Sequence, residues 1–419
     1  MIEAVLIGAG NRGMFAYASY ALKHDHEVSF IAVAEPNEER RLRFANDHNI
    51  PKENQFASWE ELLDQKQLCE ALVISTQDKQ HYEPTMRALE VGYDILLEKP
   101  MSPDPLETLE MAEKAEKLNR SLTVCHVLRY STFFSELKRL VDEGRIGDIM
   151  SVQWNENVGV QHHAHSFVRG NWSNSGTSSP MLLQKSCHDI DLLLWLIDGE
   201  CTTVSSFGSL TFFNEKHAPE GSTDRCTDGC VVEHECPFSA IKLYHNEKDN
   251  WPQNVVTLNP NLDERMKAIK EGPYGKCVYR SDNNVVDHQV VNLEFDNEVT
   301  VAFTMSAFTD ETSRTFKIMG TKGEIHGSTA ANELKVNYFT GRKEIITPER
   351  IEGGHGGADN MIMRDFIQQS TYKRKGRKTS GKESAKSHLI AFAAEKSRDT
   401  GQTIRLNDFM SSLKKSQLN

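Results

Sequence analysis

Basic residues are in the minority: 48 lysines and arginines face 60 aspartates and glutamates, a formal net charge of −12 over 419 residues. Without a basic surface to meet a polyphosphate, no nucleic-acid partner is expected. Long hydrophobic runs are missing too. Leu192 to Ile197 is representative of the longest, far short of the roughly 20 residues that cross a bilayer, so no membrane partner is expected either. Met1-Ile2-Glu3 leads straight into an apolar strand, with no basic n-region, apolar h-region and small-residue cleavage site. The cytoplasm is therefore the expected compartment. Eight cysteines do not make a disulfide framework in so long a chain, which leaves each as a thiol, a ligand or a nucleophile. Internal repeats and long low-complexity segments are absent. What is present, 38% hydrophobic, 8% aromatic and 26% charged residues, is ordinary for a folded chain and too apolar for disorder. The length suggests two domains rather than one core.

The first part of the chain reads as strand and helix in alternation. Glu3 to Gly8 is a short buried strand, Arg12 to Lys23 a helix with Met14, Ala18 and Ala21 on one side, and Val28 to Ala34 a second strand. Asn37 caps a charged helix running toward His48, and Ser58 with Glu61 forms a capping box ahead of the next helix. Strands at Leu72 to Ile74, Ile95 to Leu97 and Leu122 to Val124 alternate with helices from Pro84 to Val91 and through Leu109, Ala112 and Ala115. Uninterrupted apolar strands, each followed by a helix, predict a parallel sheet covered on both faces.

Gly8-Ala9-Gly10-Asn11-Arg12-Gly13 fits G-x-G-x-x-G just after the first strand and at the opening of the first helix. Gly8 permits the tight turn, Gly10 lets the backbone approach a pyrophosphate, and Gly13 allows helix and strand to lie close. The helix N-terminus adds donors and partial positive charge, so Asn11 and Arg12 belong to the same expected phosphate site. Glu35 ends the second strand, where a carboxylate accepts from a ribose 2′-hydroxyl and repels a 2′-phosphate. NAD is therefore expected, with NADP disfavoured. Arg40 stands between two readings, an adenine contact and a surface charge. The expected fold class is α/β, with a doubly wound dinucleotide-binding (Rossmann) domain over 1–125.

After Val124 the periodicity changes. An amphipathic helix through Phe133, Phe134, Leu137, Leu140 and Val141 precedes a strand starting near Met150, and a long helix runs from about Leu182 to Ile197. Strand-like stretches then dominate: Val204 to Phe213, Gln289 to Phe295, Val299 to Phe308, Thr315 to Met319 and Leu334 to Phe339. Short turns such as Asp296-Asn297 and Gly320-Thr321-Lys322-Gly323 join most of them, so the second domain, 126–419, is expected to be α+β around a large, mostly antiparallel open sheet. Ala358 to Ser370 and Ser384 to Arg398 read as late helices, and Lys373 to Lys378 as a solvated basic loop. A cysteine-containing insertion lies at about 214–285. There Cys226, Cys230 and Cys236 make C-x3-C-x5-C, with His234 between them and Cys277 downstream. Two readings stand side by side: a structural zinc on Cys226, Cys230, Cys236 and Cys277, and free thiols. Cys187 is not read as a nucleophile, since helical neighbours point about 100° apart.

The chain resembles the Gfo/Idh/MocA family of NAD(P)-dependent oxidoreductases over nearly its whole length. The glycine loop, Glu98-Lys99-Pro100 after the fifth strand, and His188 with Asp191 on the long helix occur in that family's order. The resemblance implies that Lys99 lies beside the nicotinamide, next to Glu98, and holds the reacting oxygen, where an ammonium would stabilise a developing alkoxide. Gln184, His188 and Asp191 share a helix face at spacings of four and three. His188 is the expected general base, with Asp191 orienting it or stabilising its charged form. Many family members carry an aspartate at the position of Gln184, which cannot exchange protons; Lys185 beside it could supply charge instead. Ser75, Thr76 and His81 resemble the family's cofactor edge. Arg129 and Tyr130, with His126 before them, are candidates for the substrate crevice, as are His165, Arg169 and Trp172 in a polar, aromatic loop. His355-Gly356-Gly357 with Asp359 suits the start of a helix at the same mouth and equally a plain glycine-rich connection.

The first functional reading is hydride transfer between NAD and a sugar, cyclitol or sugar derivative. The second is an NAD-dependent redox glycosidase, and the third a dinucleotide-sensing regulator, which the presence of Lys99 and His188 argues against. The open sheet and the resemblance both suggest a homodimer or homotetramer.

Overall fold

The computed structural model describes residues 1–248, 250–259, 261–372 and 378–416; most of the basic run beginning at Lys373 lies outside them. Six parallel strands form the first sheet: β1 Ile2–Ile7, β2 Val28–Ala34, β3 Gln55–Phe56, β4 Ala71–Ile74, β5 Asp94–Leu97 and β6 Leu122–Val124. Their spatial order is β3-β2-β1-β4-β5-β6. Every residue of β4 is buried, as a strand covered on both faces requires. The chain reverses its direction of winding between β1 and β4, and there the loops leaving the two strands part and open a crevice.

Nine strands form the second sheet. They are β7 Ile149–Asn157, β8 Cys201–Ser209, β9 His288–Phe295, β10 Thr300–Ser306, β11 Ser313–Gly320, β12 Gly323–Ser328, β13 Glu333–Tyr338, β14 Lys343–Ile346 and β15 Ile404–Arg405, in the order β14-β13-β12-β11-β7-β10-β9-β8-β15. Only β7 and β10 pair in parallel. Burial alternates along the strands, as in β9, where Val291, Leu293 and Phe295 point inward and Val290, Asn292 and Glu294 outward. The inner face meets the helices Met181–Ile197 and Gly381–Thr400 in one apolar core that contains Leu183, Leu193, Leu389 and Ile390. The outer face is open. On it Phe207 and Val290, opposite each other on β8 and β9, are exposed.

Three features differ from the sequence expectation. β8 stops at Ser209 instead of reaching Phe213, because Asp287 accepts from the backbone N–H groups of Thr211 and Phe212 at 2.9 and 2.7 Å and bends the chain away. β12 was hidden by its composition; its Gly327 is required, since a Cβ there would stand 2.0 Å from the Phe316 ring. The helix Ala358–Tyr372, assigned by sequence to the second domain, packs into the first: Ile362, Met363 and Phe366 join Met14, Tyr17 and Ala18 in one core. This crossing carries Asp359 and His355 to the glycine loop. Among the described residues, no helix is long and apolar enough to cross a membrane.

Candidate active site

The glycine loop leaves β1 with Gly8 at φ +90°, in the left-handed region that a side chain resists. A Cβ on Gly8 would stand 2.9 Å from Ser75 backbone atoms, and one on Gly13 2.3 Å from the Gly8 carbonyl oxygen. Ser75 Oγ ties the two loops of the crevice together by donating to that carbonyl at 2.7 Å. Gly10 differs, with nothing within 4 Å of where its Cβ would be. The protein therefore needs glycine at 8 and 13 for its own packing, while the space over Gly10 is free for a ligand. Glu35 is buried at the loop's edge, accepting from Ala9 N at 2.8 Å and Asn37 N at 3.0 Å. The loop thus fits a diphosphate, with a fixed carboxylate beside it.

Arg12 does not turn toward that space. Its guanidinium donates to Glu98 at 2.6 Å, to Tyr17 at 2.6 Å and to both oxygens of Asp359 at 2.9 and 3.1 Å. One cation thereby fastens the first helix, the end of β5 and the helix Ala358–Tyr372. Burial pushes the Glu98 carboxyl up, but Arg12 and Lys99 outweigh it and hold it below the usual range. The other Glu98 oxygen accepts from the backbone of Lys99 at 2.5 Å. Lys99 Nζ reaches across to the Gln184 carbonyl at 2.6 Å, so the strand-end lysine and the long helix meet.

His188 stands one turn along that helix, buried, with Nδ1 lacking any hydrogen-bond partner. Burial, then the positive charge of Lys99, push its pKa well below the ordinary histidine range. The ring is neutral and able to accept a proton. Asp191 does not orient it: Arg129 takes both Asp191 oxygens at 2.6 Å, in a pair sealed from solvent. His126 stands beside both, its ring 5.6 Å from that of His188 and its Nδ1 4.0 Å from Asp191. Lys185 bends to Glu156 at 3.4 Å, and burial lowers its pKa. Glu156 is shared with Arg314, which also holds Asp189.

Several other residues singled out from sequence are taken up by the scaffold. His81 spends both ring nitrogens on the Pro100 and Thr76 carbonyls, Thr76 Oγ1 donates to the Gln80 carbonyl, and Tyr130 donates to Asp365 at 2.8 Å. Trp172 Nε1 donates to Asp78. His165 and Arg169 are drawn to the insertion, not the crevice: His165 stacks on Tyr274 and meets Tyr244 Oη at 3.0 Å, and Arg169 donates to the Lys276 and Phe238 carbonyls at 2.6 and 2.7 Å. The need of these two backbone carbonyls for donors explains why a loop arginine is used inward.

Cys226, Cys230, Cys236 and Cys277 line one small enclosed cavity beneath Arg169. No three of their sulfurs lie within 4.8 Å of one another, whereas ligands around one zinc sit about 3.8 Å apart given Zn–S bonds near 2.3 Å. The tetrahedral set considered from the sequence is therefore not assembled. Cys226 Sγ instead accepts from Ala240 N at 3.4 Å and from Arg169, and burial raises the Cys236 and Cys277 thiols.

Two groups at the site carried weak sequence signals. His162 is half-buried and close enough to Lys185 and Lys99 for both to depress its pKa after desolvation does, and Trp251 of the insertion lies edge-on to it at 5.0 Å. His355 has its ring 6.1 Å from that of His188 and its Nδ1 3.1 Å from Asp359. Only the i,i+4 interval between His355 and Asp359 hinted at the second pairing.

Residues 2–126 match the oxidoreductase family's NAD-binding Rossmann fold, and residues 138–406 match its C-terminal alpha/beta domain. The chain belongs to the Gfo/Idh/MocA oxidoreductase family. Inositol 2-dehydrogenase of Streptomyces avermitilis is 30% identical to this oxidoreductase over 230 residues, covering 54% of this chain and 60% of that protein. YteT of Bacillus subtilis is 22% identical over 320 residues, 71% of each chain. The fold is shared with an Agrobacterium radiobacter oxidoreductase solved with NAD+, L-tartaric acid and magnesium, at TM-score 0.67 and 14% identity over 97% of this chain and 99% of that one. It is also shared with the WlbA dehydrogenase of Chromobacterium violaceum solved with NADH and UDP-GlcNAcA, at TM-score 0.67 and 17% identity over 96% and 95%.

Proposed function

We propose that this oxidoreductase moves hydride between NAD and a hydroxyl-bearing carbon of a sugar, cyclitol or sugar derivative. The observation that carries the reading is the meeting of Lys99 and the neutral His188 beside the open glycine loop. Gly10 and Asn11 would meet the diphosphate through backbone N–H groups over the turn that Gly8 and Gly13 permit, with Ser75, Thr76 and His81 shaping the opposite wall. Glu35 would accept from the adenosine ribose, which favours NAD over NADP. The bound nicotinamide would supply the hydride acceptor or donor. Lys99 would hold the reacting oxygen, and His188 would take its proton during oxidation and return it during reduction. Gln184, whose carbonyl holds Lys99, and Lys185 beside it would meet the remaining hydroxyls. The names of relatives, inositol 2-dehydrogenases among them, support a polyhydroxylated substrate. The open face of the nine-stranded sheet would join a second copy of the chain in a dimer or tetramer.

The test is incubation of the purified protein with NAD or NADP and a panel of sugars, cyclitols and aryl glycosides. NADH formation dependent on a polyol is the expected result. Tight NAD binding with no reduction on any of them, or a preference for NADP, would overturn the corresponding part of the proposal.

A further inference from the structure

His355 occupies an unusual position. It has φ +51° in a stretch where Gly353, Gly356 and Gly357 are also left-handed, so a side chain is kept where the backbone favours glycine. Its Nδ1 lies 3.1 and 3.3 Å from the two oxygens of Asp359, while Nε2 makes no hydrogen bond among the described residues. The side chain is 39% exposed, whereas Asp359 is buried and held by Arg12. A histidine fixed through Nδ1 by a buried carboxylate, with Nε2 open, is a poised proton acceptor. Its ring lies 6.1 Å from that of His188, on a different element.

We infer that His355, oriented by Asp359, is a second acid/base group of this site, placed to take the proton from the carbon adjacent to the one oxidised. This rests on the hydride-transfer reading above. Two rings so spaced can each come within the roughly 3 Å that proton transfer needs of neighbouring positions on one sugar ring. Oxidation at one carbon sends its hydride to NAD and its hydroxyl proton to His188, leaving a ketone held by Lys99. That ketone acidifies the neighbouring C–H. His355 Nε2 accepts this hydrogen as a proton, and the C–H electron pair forms an enolate whose oxygen faces Lys99. From there the proton can return to either face, inverting that carbon. Alternatively, the substituent one carbon further on leaves with its bonding pair and takes the proton from His355. Water addition and return of the hydride then leave NAD unchanged. The substrate class is thus a polyol or glycoside with a hydrogen beside the oxidised carbon.

The experiment uses the full-length protein with NAD in D2O and, as probes, myo-inositol, glucose and the para-nitrophenyl glycosides of glucose and galactose. NADH formation and deuterium incorporation are followed together. Deuterium next to the oxidised carbon, in recovered substrate or in an eliminated product, is the expected result. In His355→Gln, the rate of exchange should fall about 100-fold while the rate of hydride transfer to NAD, read in a single-turnover burst, is retained. NADH formation with no exchange in the wild type, or an unchanged ratio of the two rates in the variant, overturns the inference and leaves the dehydrogenase reading intact. Absence of NADH, deuterium exchange and nitrophenol release with every probe overturns both. In cofactor-free protein, histidine 15N shifts should show the neutral His355 protonated at Nδ1; a proton on Nε2 would contradict the assignment.

Discussion

At the scale of single residues, the glycine loop separates what the fold needs from what the ligand needs. Gly13→Ala places a methyl 2.3 Å from the Gly8 carbonyl oxygen and should cost about 1–3 kcal/mol of stability, read as a lowered Tm. Gly10→Ala meets nothing within 4 Å, so Tm should hold while calorimetry shows NAD affinity lost. Equal loss of stability in both would mean that the space over Gly10 serves folding. Asp191 makes the second contrast. Because Arg129 takes both its oxygens in a buried pair, Arg129→Met should cost about 3–5 kcal/mol by stranding a carboxylate. The placement of the glycine loop, Glu35 and Lys99 at strand ends and of His188 on the long helix was legible from sequence because each has a fixed offset from a strand end or along one helix. The roles of Asp191, Arg12 and Tyr130 were not, since their partners, Arg129, Asp359 and Asp365, lie 62, 347 and 235 residues away.

Among elements, the insertion behaves as a module held by a few inward-turned polar groups. His165 is pushed down to about 3 and His163 to about 4, both chiefly by burial, and His388 at the domain junction also to about 3. Each is neutral in the folded protein and has an unfolded value near 6.5. Between those limits the unfolded chain binds more protons, so the stability these groups contribute is full above about pH 6.5 and drains away as pH falls toward 4. Urea midpoints across that range should show the decline, and His165→Phe should flatten it; a pH-independent midpoint would contradict the burial of these rings. Hydrogen exchange should show the 214–285 segment loosening first in Arg169→Met, which loses the bonds to the Lys276 and Phe238 carbonyls. The sequence marked this insertion by its cysteines but not its anchors: a loop rich in histidine, arginine and tryptophan has the same composition whether it meets a sugar or a neighbouring loop. The hairpin strand β12 was missed for a related reason, since its Gly327 answers to the Phe316 ring and its Gly323 to the β13 backbone, not to strand propensity.

For the whole molecule, the helix Ala358–Tyr372 follows the last strands of the nine-stranded sheet yet packs into a core of the first domain, and the site lies where it crosses the mouth of the parallel sheet. The outer face of the nine-stranded sheet is unpartnered among the described residues, with Phe207 and Val290 side by side on it. Light scattering should give at least a dimer, and Phe207→Glu with Val290→Lys should yield monomers; an unchanged mass would place the contact elsewhere. The central claim is that binding and chemistry are divided, with the loop holding the dinucleotide and Lys99 with His188 carrying out the reaction. It is tested most directly by measuring NAD affinity and turnover together in Lys99→Met, on whichever polyol the wild type oxidises. The account predicts NAD affinity near that of the wild type and turnover lower by about 100-fold or more. Turnover that survives the substitution, or that falls only in step with NAD binding, would contradict it.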